Sequence, residues 1–383
     1  MKIAIILNEM SVGGIPRACV PLMQQLLKHA EVTLIMSTSA GELNSQIPAG
    51  VRVVVIPYQR LRSLIHKYKE SRSRIKSLVT IIWTTWLGRV LRRWVKNNVY
   101  IAKRIGFILN ETFDCAVAYH GMNVDHLTRT LYNVKAARKI AWIHGDHPFV
   151  GKHLKDIKDL YGKFDGIFFD SDICKSKFLR DFPDLGVQTC TSYCMLDTDE
   201  IKAKALETKT IEFSTEYINI LTVGRLSPEK GQDMIPDVLK ILNRSDVRWY
   251  LVGDGPDRKR IELLKNNNNA VHMILLGSKN NPYPYIRECD IYVQPSYSEA
   301  YSLTAFEAGT LGKPIVITDV AGATELLAPG KDAMVVSSTA DAIASAVKSL
   351  IDSPELRHTL SANVKSRDFS NYVEINKLIS FIN

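Results

Sequence analysis

The amino-acid sequence predicts an α/β fold made of two successive parallel sheets, each wrapped by helices. Three observations carry that expectation. Short runs rich in Ile, Val and Leu recur along the chain and stop at glycine, proline or polar turns. Stretches with apolar residues at helical spacing separate them, the pattern of βα units with buried parallel strands. The series falters over charged, weakly patterned residues near 198–217 and begins afresh at Ile218. A chain of 383 residues is also longer than one core comfortably supports. The reading is a first domain over 1–197, a linker over 198–217 and a second domain over 218–365.

In the first half, Lys2–Leu7 reads as a buried strand. It is too short for the apolar core of a signal peptide, and Asn8 and Glu9 follow directly. Gly13-Gly14 then turns the chain, and Pro16 sits where a helix carrying Val20, Leu22, Leu26 and Leu27 begins. Strand, glycine turn and helix open a nucleotide-type unit in which backbone can approach a diphosphate, although the spacing is not Gly-x-Gly-x-x-Gly. A simple tight turn explains the glycines equally well. Glu31–Met36, Val51–Ile56, Phe113–Tyr119, Arg138–Ile143, Phe164–Asp170 and Gln188–Tyr193 continue the strands. Two of them end in histidine, at His120 and at His144-Gly145-Asp146. Ligands gather at the carboxyl ends of parallel strands, so these histidines stand where a sugar hydroxyl or a proton is handled. The competing reading is that they cap turns.

Charge is distributed unevenly. The net charge is +9, yet Arg60–Arg104 alone holds thirteen Lys or Arg residues against one acid, Glu70. Trp83, Trp86 and Trp94 fall in the same stretch, and Leu87, Val90, Leu91, Trp94 and Val95 line one helical face. A basic amphipathic insertion at about 60–106 suits an anionic membrane surface. The alternative is a solvated helix packed on its own domain. The strip matches no nucleic-acid fold, and no nucleic-acid partner is expected. No apolar run reaches the length of a membrane span, since Ser77–Gly88 is short and bracketed by Lys76 and Arg89. Six scattered cysteines without a zinc spacing read as reduced core thiols of a cytoplasmic protein.

The second half repeats the strand, turn and helix pattern. Ile218–Val223 runs into Gly224-Arg-Leu-Ser-Pro-Glu-Lys-Gly231, where Ser227 suits an N-cap and Pro228 a first helical position. Arg225 and Lys230 therefore stand at a strand end, where cations suit phosphate oxygens. Trp249–Val252 leads to Gly253, and Val271–Leu276 to Gly277, a turn against which a flat base can pack. Asp290–Gln294 is closed by Pro295, and the turn beyond it holds Glu299. Leu303, Phe306 and Leu311 then mark a helix that carries Glu307. Eight residues of helix span roughly 12 Å, too far for two carboxylates to share one proton. They suit the two ends of one elongated, hydroxyl-rich ligand, with the amides of Tyr301, Ser302 and Leu303 left for an anion between them. That is the shape of a sugar nucleotide.

Five motifs now stand in order: Gly224–Gly231, Val252-Gly-Asp-Gly-Pro256, Asp290–Ser296, Ser298-Glu-Ala-Tyr-Ser-Leu-Thr-Ala-Phe-Glu-Ala308 and Pro314-Ile-Val-Ile-Thr-Asp319. Together they resemble glycosyltransferase family 4, the retaining "group 1" enzymes of the GT-B fold. The resemblance is strong over about 215–355 and thinner before it, through Gly13-Gly14 and Trp142–Asp146. It departs at Ala300, where many relatives have glycine, in the missing Asn-Pro near Tyr193–Asp197, and in the continuation Ile15-Pro16-Arg17.

The resemblance implies two Rossmann-like domains facing a central cleft, with residues 366–383 as a terminal helix crossing back to the first. It implies metal-independent transfer of a hexosyl or N-acetylhexosaminyl group from a nucleotide sugar, UDP favoured and GDP possible, with no cofactor. Arg225 and Lys230 would neutralise the diphosphate, Glu299 would contact the sugar, Glu307 the ribose and His144 the sugar from the first domain. Gly14, Gly224, Gly253, Leu276, Gly277, Tyr301, Ser302 and Leu303 would complete the donor site. Gly13, His120 and Asp146 would lie on the acceptor side. The expected acceptor is a glycan or a polyprenyl-linked glycan of bacterial surface polysaccharide, reached from the inner face of the plasma membrane. The rivals are another sugar-nucleotide enzyme on a similar fold, an epimerase or phosphorylase, and a non-catalytic membrane scaffold.

Overall fold

The computed structural model describes residues 1–11, 13–56, 96, 98–145, 154–208, 213–299, 301–320 and 322–383. The chain packs as two compact units: Met1–Asp170 with Cys174–Tyr193 and Val373–Asn383, and Cys194–Tyr372 with Ser171–Ile173. Most of the basic insertion expected at 60–106, the acceptor-side Asp146, and Ala300 lie outside the described residues.

The first unit is a parallel sheet of seven strands in the order β3-β2-β1-β4-β5-β6-β7. They are β1 (Lys2–Ile6), β2 (Glu31–Met36), β3 (Arg52–Val55), β4 (Phe113–Ala118), β5 (Ala136–Ile143), β6 (Gly166–Phe169) and β7 (Gln188–Thr191). The central strands were marked in the sequence by apolar runs, because strands covered on both faces have few polar positions, whereas the edge strand β7 is Gln-Thr-Cys-Thr. The helix after the glycine turn is α1 (Gly14–Leu26), and Gly13 precedes it in extended backbone. A further helix, α2 (Val124–Asn133), buries His126, Thr128, Arg129, Thr130 and Asn133. Its apolar stripe is only Val124, Leu127 and Leu131, and the polar residues buried beside it blur the pattern a sequence reading looks for.

The second unit is a parallel sheet of six strands in the order β10-β9-β8-β11-β12-β13. These are β8 (Ile218–Val223), β9 (Val247–Val252), β10 (Met273–Gly277), β11 (Ile291–Gln294), β12 (Ile315–Thr318) and β13 (Met334–Val336). The last is three residues long, too short to register as an apolar run. The core centres on Trp249, fully buried, whose Nε1 donates to Thr222 Oγ1 at 3.0 Å. That bond satisfies the indole where water cannot reach it.

The stretch read as a linker is partly ordered: Thr198–Lys204 is helical, capped by Asp197, and belongs to the second unit. The last helix, α3 (Ile375–Ile382), packs in the first unit. There Lys377 donates to the Thr191 carbonyl at 2.9 Å, and the Phe381 ring occupies the space a side chain at Gly166 would need. All six cysteines are unbridged.

Candidate active site

The strand orders decide where a site can form. In each unit the first strand has neighbours on both sides, β2 and β4 around β1, and β9 and β11 around β8. Loops leaving the carboxyl ends of those adjacent strands diverge and leave a crevice at the switch point. In the second unit these loops are Gly224–Gly231 after β8 and Pro295–Ser302 after β11, the two richest in candidate residues.

The two loops are fastened together along their length. The Glu229 carbonyl accepts from the amides of Tyr297 at 2.9 Å and Ser298 at 3.2 Å. Gly231 has φ of +66°, and a Cβ there would lie 2.0 Å from the Pro295 carbonyl oxygen, so only glycine allows this approach. Lys230 Nζ then reaches both oxygens of Glu299, at 2.6 and 2.8 Å. Ser227 departs from its expected role. Its hydroxyl donates to the Glu229 carboxylate and caps no helix, and Pro228–Lys230 forms a single 3₁₀ turn. Burial alone would raise the Glu229 pKa; the Ser227 bond, with Lys230 and Arg225 nearby, lowers it instead. Arg225 is exposed and forms no ion pair among the described residues, so its guanidinium is available to an anion.

Beyond Glu299 the chain enters α4, the label used here for the helix Leu303–Thr310. Ser302 precedes it in left-handed backbone, φ 57° and ψ 52°. A non-glycine residue held there stores strain of the kind found at ligand clamps. Its Oγ is buried with no hydrogen-bond partner among the described residues. Leu303 is the first helical residue, and Glu307 lies one turn further on, 2% exposed, accepting from the Tyr283 hydroxyl at 3.1 Å. Tyr301 points its hydroxyl elsewhere: it donates to the Cys194 carbonyl at 3.1 Å and receives Asn371.

The neighbouring turns join the same edge. Gly224 N donates to the Val252 carbonyl at 3.0 Å and Gly253 N to the Gly277 carbonyl at 2.9 Å. Leu276 is half-buried at the end of β10. Thus Gly224, Arg225, Lys230, Gly253, Leu276, Gly277, Glu299, Ser302, Leu303 and Glu307 all fall at the carboxyl edge of one sheet or in the helix leaving it.

Sequence reasoning missed what holds these residues. Gln294, 1% exposed at the end of β11, bonds to Glu299, Ser296, Tyr292 and Thr304. A polar residue closing an otherwise apolar strand was the available signal.

The first unit has its own polar edge. β5 and β6 pair Ile143 with Phe169, which sets His144 beside Asp170 on the next residue of each strand. His144 Nδ1 lies 2.7 Å from Asp170 Oδ2, and Trp142 Nε1 donates to Oδ1 at 3.0 Å. A carboxylate only accepts, so Nδ1 carries a proton, while the buried Nε2 has no partner among the described residues. His120 packs edge-on against His126, and burial, aided by His144, lowers its pKa to about 4. Arg129 Nη1 donates to Ser37 Oγ at 2.7 Å and Asn8 Oδ1 at 3.1 Å, beyond the ends of β2 and β1.

Known proteins share this architecture. Anabaena HepE, solved with UDP, has a TM-score of 0.67 at 16% identity, covering 99% of this chain and 98% of that one. A variant of TarM from S. aureus, solved with fondaparinux, alpha-GlcNAc-glycerol and UDP, reaches 0.73 at 13% identity, over 100% and 99%. An uncharacterized glycosyltransferase of Methanocaldococcus jannaschii is 29% identical over 286 residues, 71% of this chain and 76% of its own. The N-acetylgalactosamine-N,N'-diacetylbacillosaminyl-diphospho-undecaprenol 4-alpha-N-acetylgalactosaminyltransferase of Campylobacter jejuni is 23% identical over 370 residues, 96% and 94% of the two chains. Two parallel α/β units with this strand order have the GT-B fold. Residues 204–367 match the glycosyl transferases group 1, and that match, with the two relatives, supports a glycosyltransferase.

Proposed function

We propose that the protein is a retaining, metal-independent glycosyltransferase that moves a hexosyl or N-acetylhexosaminyl group from a UDP-sugar to a glycan or polyprenyl-linked acceptor in bacterial surface polysaccharide synthesis. The observation that carries this reading is the fastened pair of loops at the switch point of the second sheet. They set Arg225, Lys230 and Glu299 beside the start of α4.

In this reading the diphosphate lies against Arg225, Lys230 and the amides of Ser302 and Leu303. The two cations supply the charge that stabilises the departing phosphate. Glu307 takes the ribose hydroxyls and Glu299 those of the sugar. The bond from the anomeric carbon to the phosphate oxygen breaks as the acceptor oxygen bonds to the same face, and the acceptor proton passes to the leaving phosphate. The first unit is assigned the acceptor, with His144, held by Asp170, as its residue for a hydroxyl or a proton. UDP is favoured because both solved neighbours described above hold it. The lipid-linked acceptor is drawn from the Campylobacter relative's printed substrate, and the peripheral, cytoplasmic-face location from the basic stretch in the sequence.

A thermal-shift panel of UDP-, GDP-, ADP- and dTDP-sugars without added metal tests the donor. A ligand of the folded state raises Tm, by about 2.7 kcal/mol of stabilisation at a hundredfold excess over Kd. One class of nucleotide sugar is expected to stand out. A folded sample stabilised by none of them overturns the reading.

A further inference from the structure

We propose that Gln294 is a positioning residue that sets which oxygen of Glu299 faces the donor sugar, an assignment that rests on the donor reading above. The side chain is buried and engaged at both ends of its amide. Nε2 donates to Ser296 Oγ at 2.9 Å and to Glu299 Oε1 at 3.2 Å, and Ser296 Oγ donates to the same Oε1 at 2.8 Å. Oε1 of Gln294 accepts from the Tyr292 hydroxyl at 2.8 Å and from Thr304 Oγ1 at 3.1 Å.

The orientation of the amide follows from chemistry. Glu299 is an acceptor, so the NH₂ end must face it; turned over, the amide oxygen would meet a carboxylate. Tyr292 lies two residues before Gln294 on one face of β11, and burial pushes its phenol well above its ordinary pKa, which keeps it a donor. Thr304 brings a second hydroxyl from the first turn of α4. Gln294 thus ties strand, loop and helix together through one rigid group.

The consequence falls on Glu299. Its Oε1 receives Gln294, Ser296 and Lys230 and is saturated, while Oε2 receives only Lys230 among the described residues. Oε2 therefore keeps a lone pair for one hydroxyl of a ligand. Gln294 and Ser296 act at a distance from the nucleotide, so their loss weakens recognition of the sugar and spares that of UDP.

The test is isothermal titration of the full chain with UDP and with the UDP-sugar that stabilises it most in the panel. Gln294→Met keeps the length of the side chain and removes its hydrogen-bonding amide; Ser296→Ala removes the second uncharged Oε1 donor, leaving Lys230 in place. Expected for Gln294→Met is a loss of about tenfold in UDP-sugar affinity with UDP affinity within about twofold. Ser296→Ala is expected to give the same pattern with a smaller loss. Equal losses for UDP and UDP-sugar, or no loss in either variant, overturn the assignment alone. A wild-type chain that binds no UDP-sugar overturns the donor reading and this assignment with it.

Discussion

At the scale of the residue, opposite charges far apart in sequence are brought together for a purpose beyond pairing. Lys230 and Glu299 are 69 residues apart and meet with side chains 24% and 10% exposed. A pair so placed contributes little net stability, because desolvation offsets attraction, yet removing one partner strands the other. Lys230→Ala is expected to weaken binding of the stabilising nucleotide sugar roughly tenfold to a hundredfold, with circular dichroism unchanged. Glu307→Ala is expected to act in the same direction through the ribose. Titration of both variants checks this, and unchanged affinity in both would remove the site assignment. The charged residues were legible in the sequence because cations at a strand end and carboxylates around a helix start are unusual local chemistry. Asp170 was not, since its partners Trp142 and His144 come from a strand that only folding brings near; Gln294 has local partners, and its one signal was a polar residue closing an apolar strand.

At the scale of the element, backbone approach separates glycines that look alike in sequence. Gly253 has φ of +148°, and a Cβ there would lie 1.9 Å from the Gly224 carbonyl oxygen. A Cβ on Gly224 itself meets nothing nearer than Gln232 Nε2 at 3.6 Å, an ordinary contact. Gly253→Ala is therefore expected to cost about 3 kcal/mol or more in urea denaturation, and Gly224→Ala under about 1 kcal/mol. Equal costs would mean that the turns do not stack as described. All strands but the three-residue β13 were readable to within a few residues, because a short run bounded by glycine or polar turns has few other uses. The helix Val124–Asn133 was not, because polar residues are buried beside the short apolar stripe of Val124, Leu127 and Leu131.

At the scale of the whole molecule, the first unit carries a latent acid sensitivity. Burial, with His144 nearby, holds the His120 imidazole down at about 4, and burial with Arg129 and His120 nearby also lowers His126. In the unfolded chain both titrate near 6.5. As pH falls below that value the unfolded state takes up protons first, so stability present above about 6.5 is lost between there and about 4. The loss from His120 alone is on the order of 3 kcal/mol. Denaturation midpoints at pH 8 and pH 4.5 measure it, and His120→Gln is expected to flatten the difference. The basic stretch Arg60–Arg104 is argued at this scale as well, since thirteen cations against one acid act as a field. Flotation with anionic vesicles is expected at low salt and lost at high salt; no flotation, with transfer intact on a soluble acceptor, removes the membrane proposal. The sequence by itself determined two parallel α/β units and which loops carry charge. Burial on both faces of a sheet and glycine at its turns leave a local record. Only the tertiary structure decided that the loops after β8 and β11 lie side by side and that Asp170 holds His144. Those contacts depend on strand order and register, which hydrogen bonds between distant segments set and no local pattern encodes.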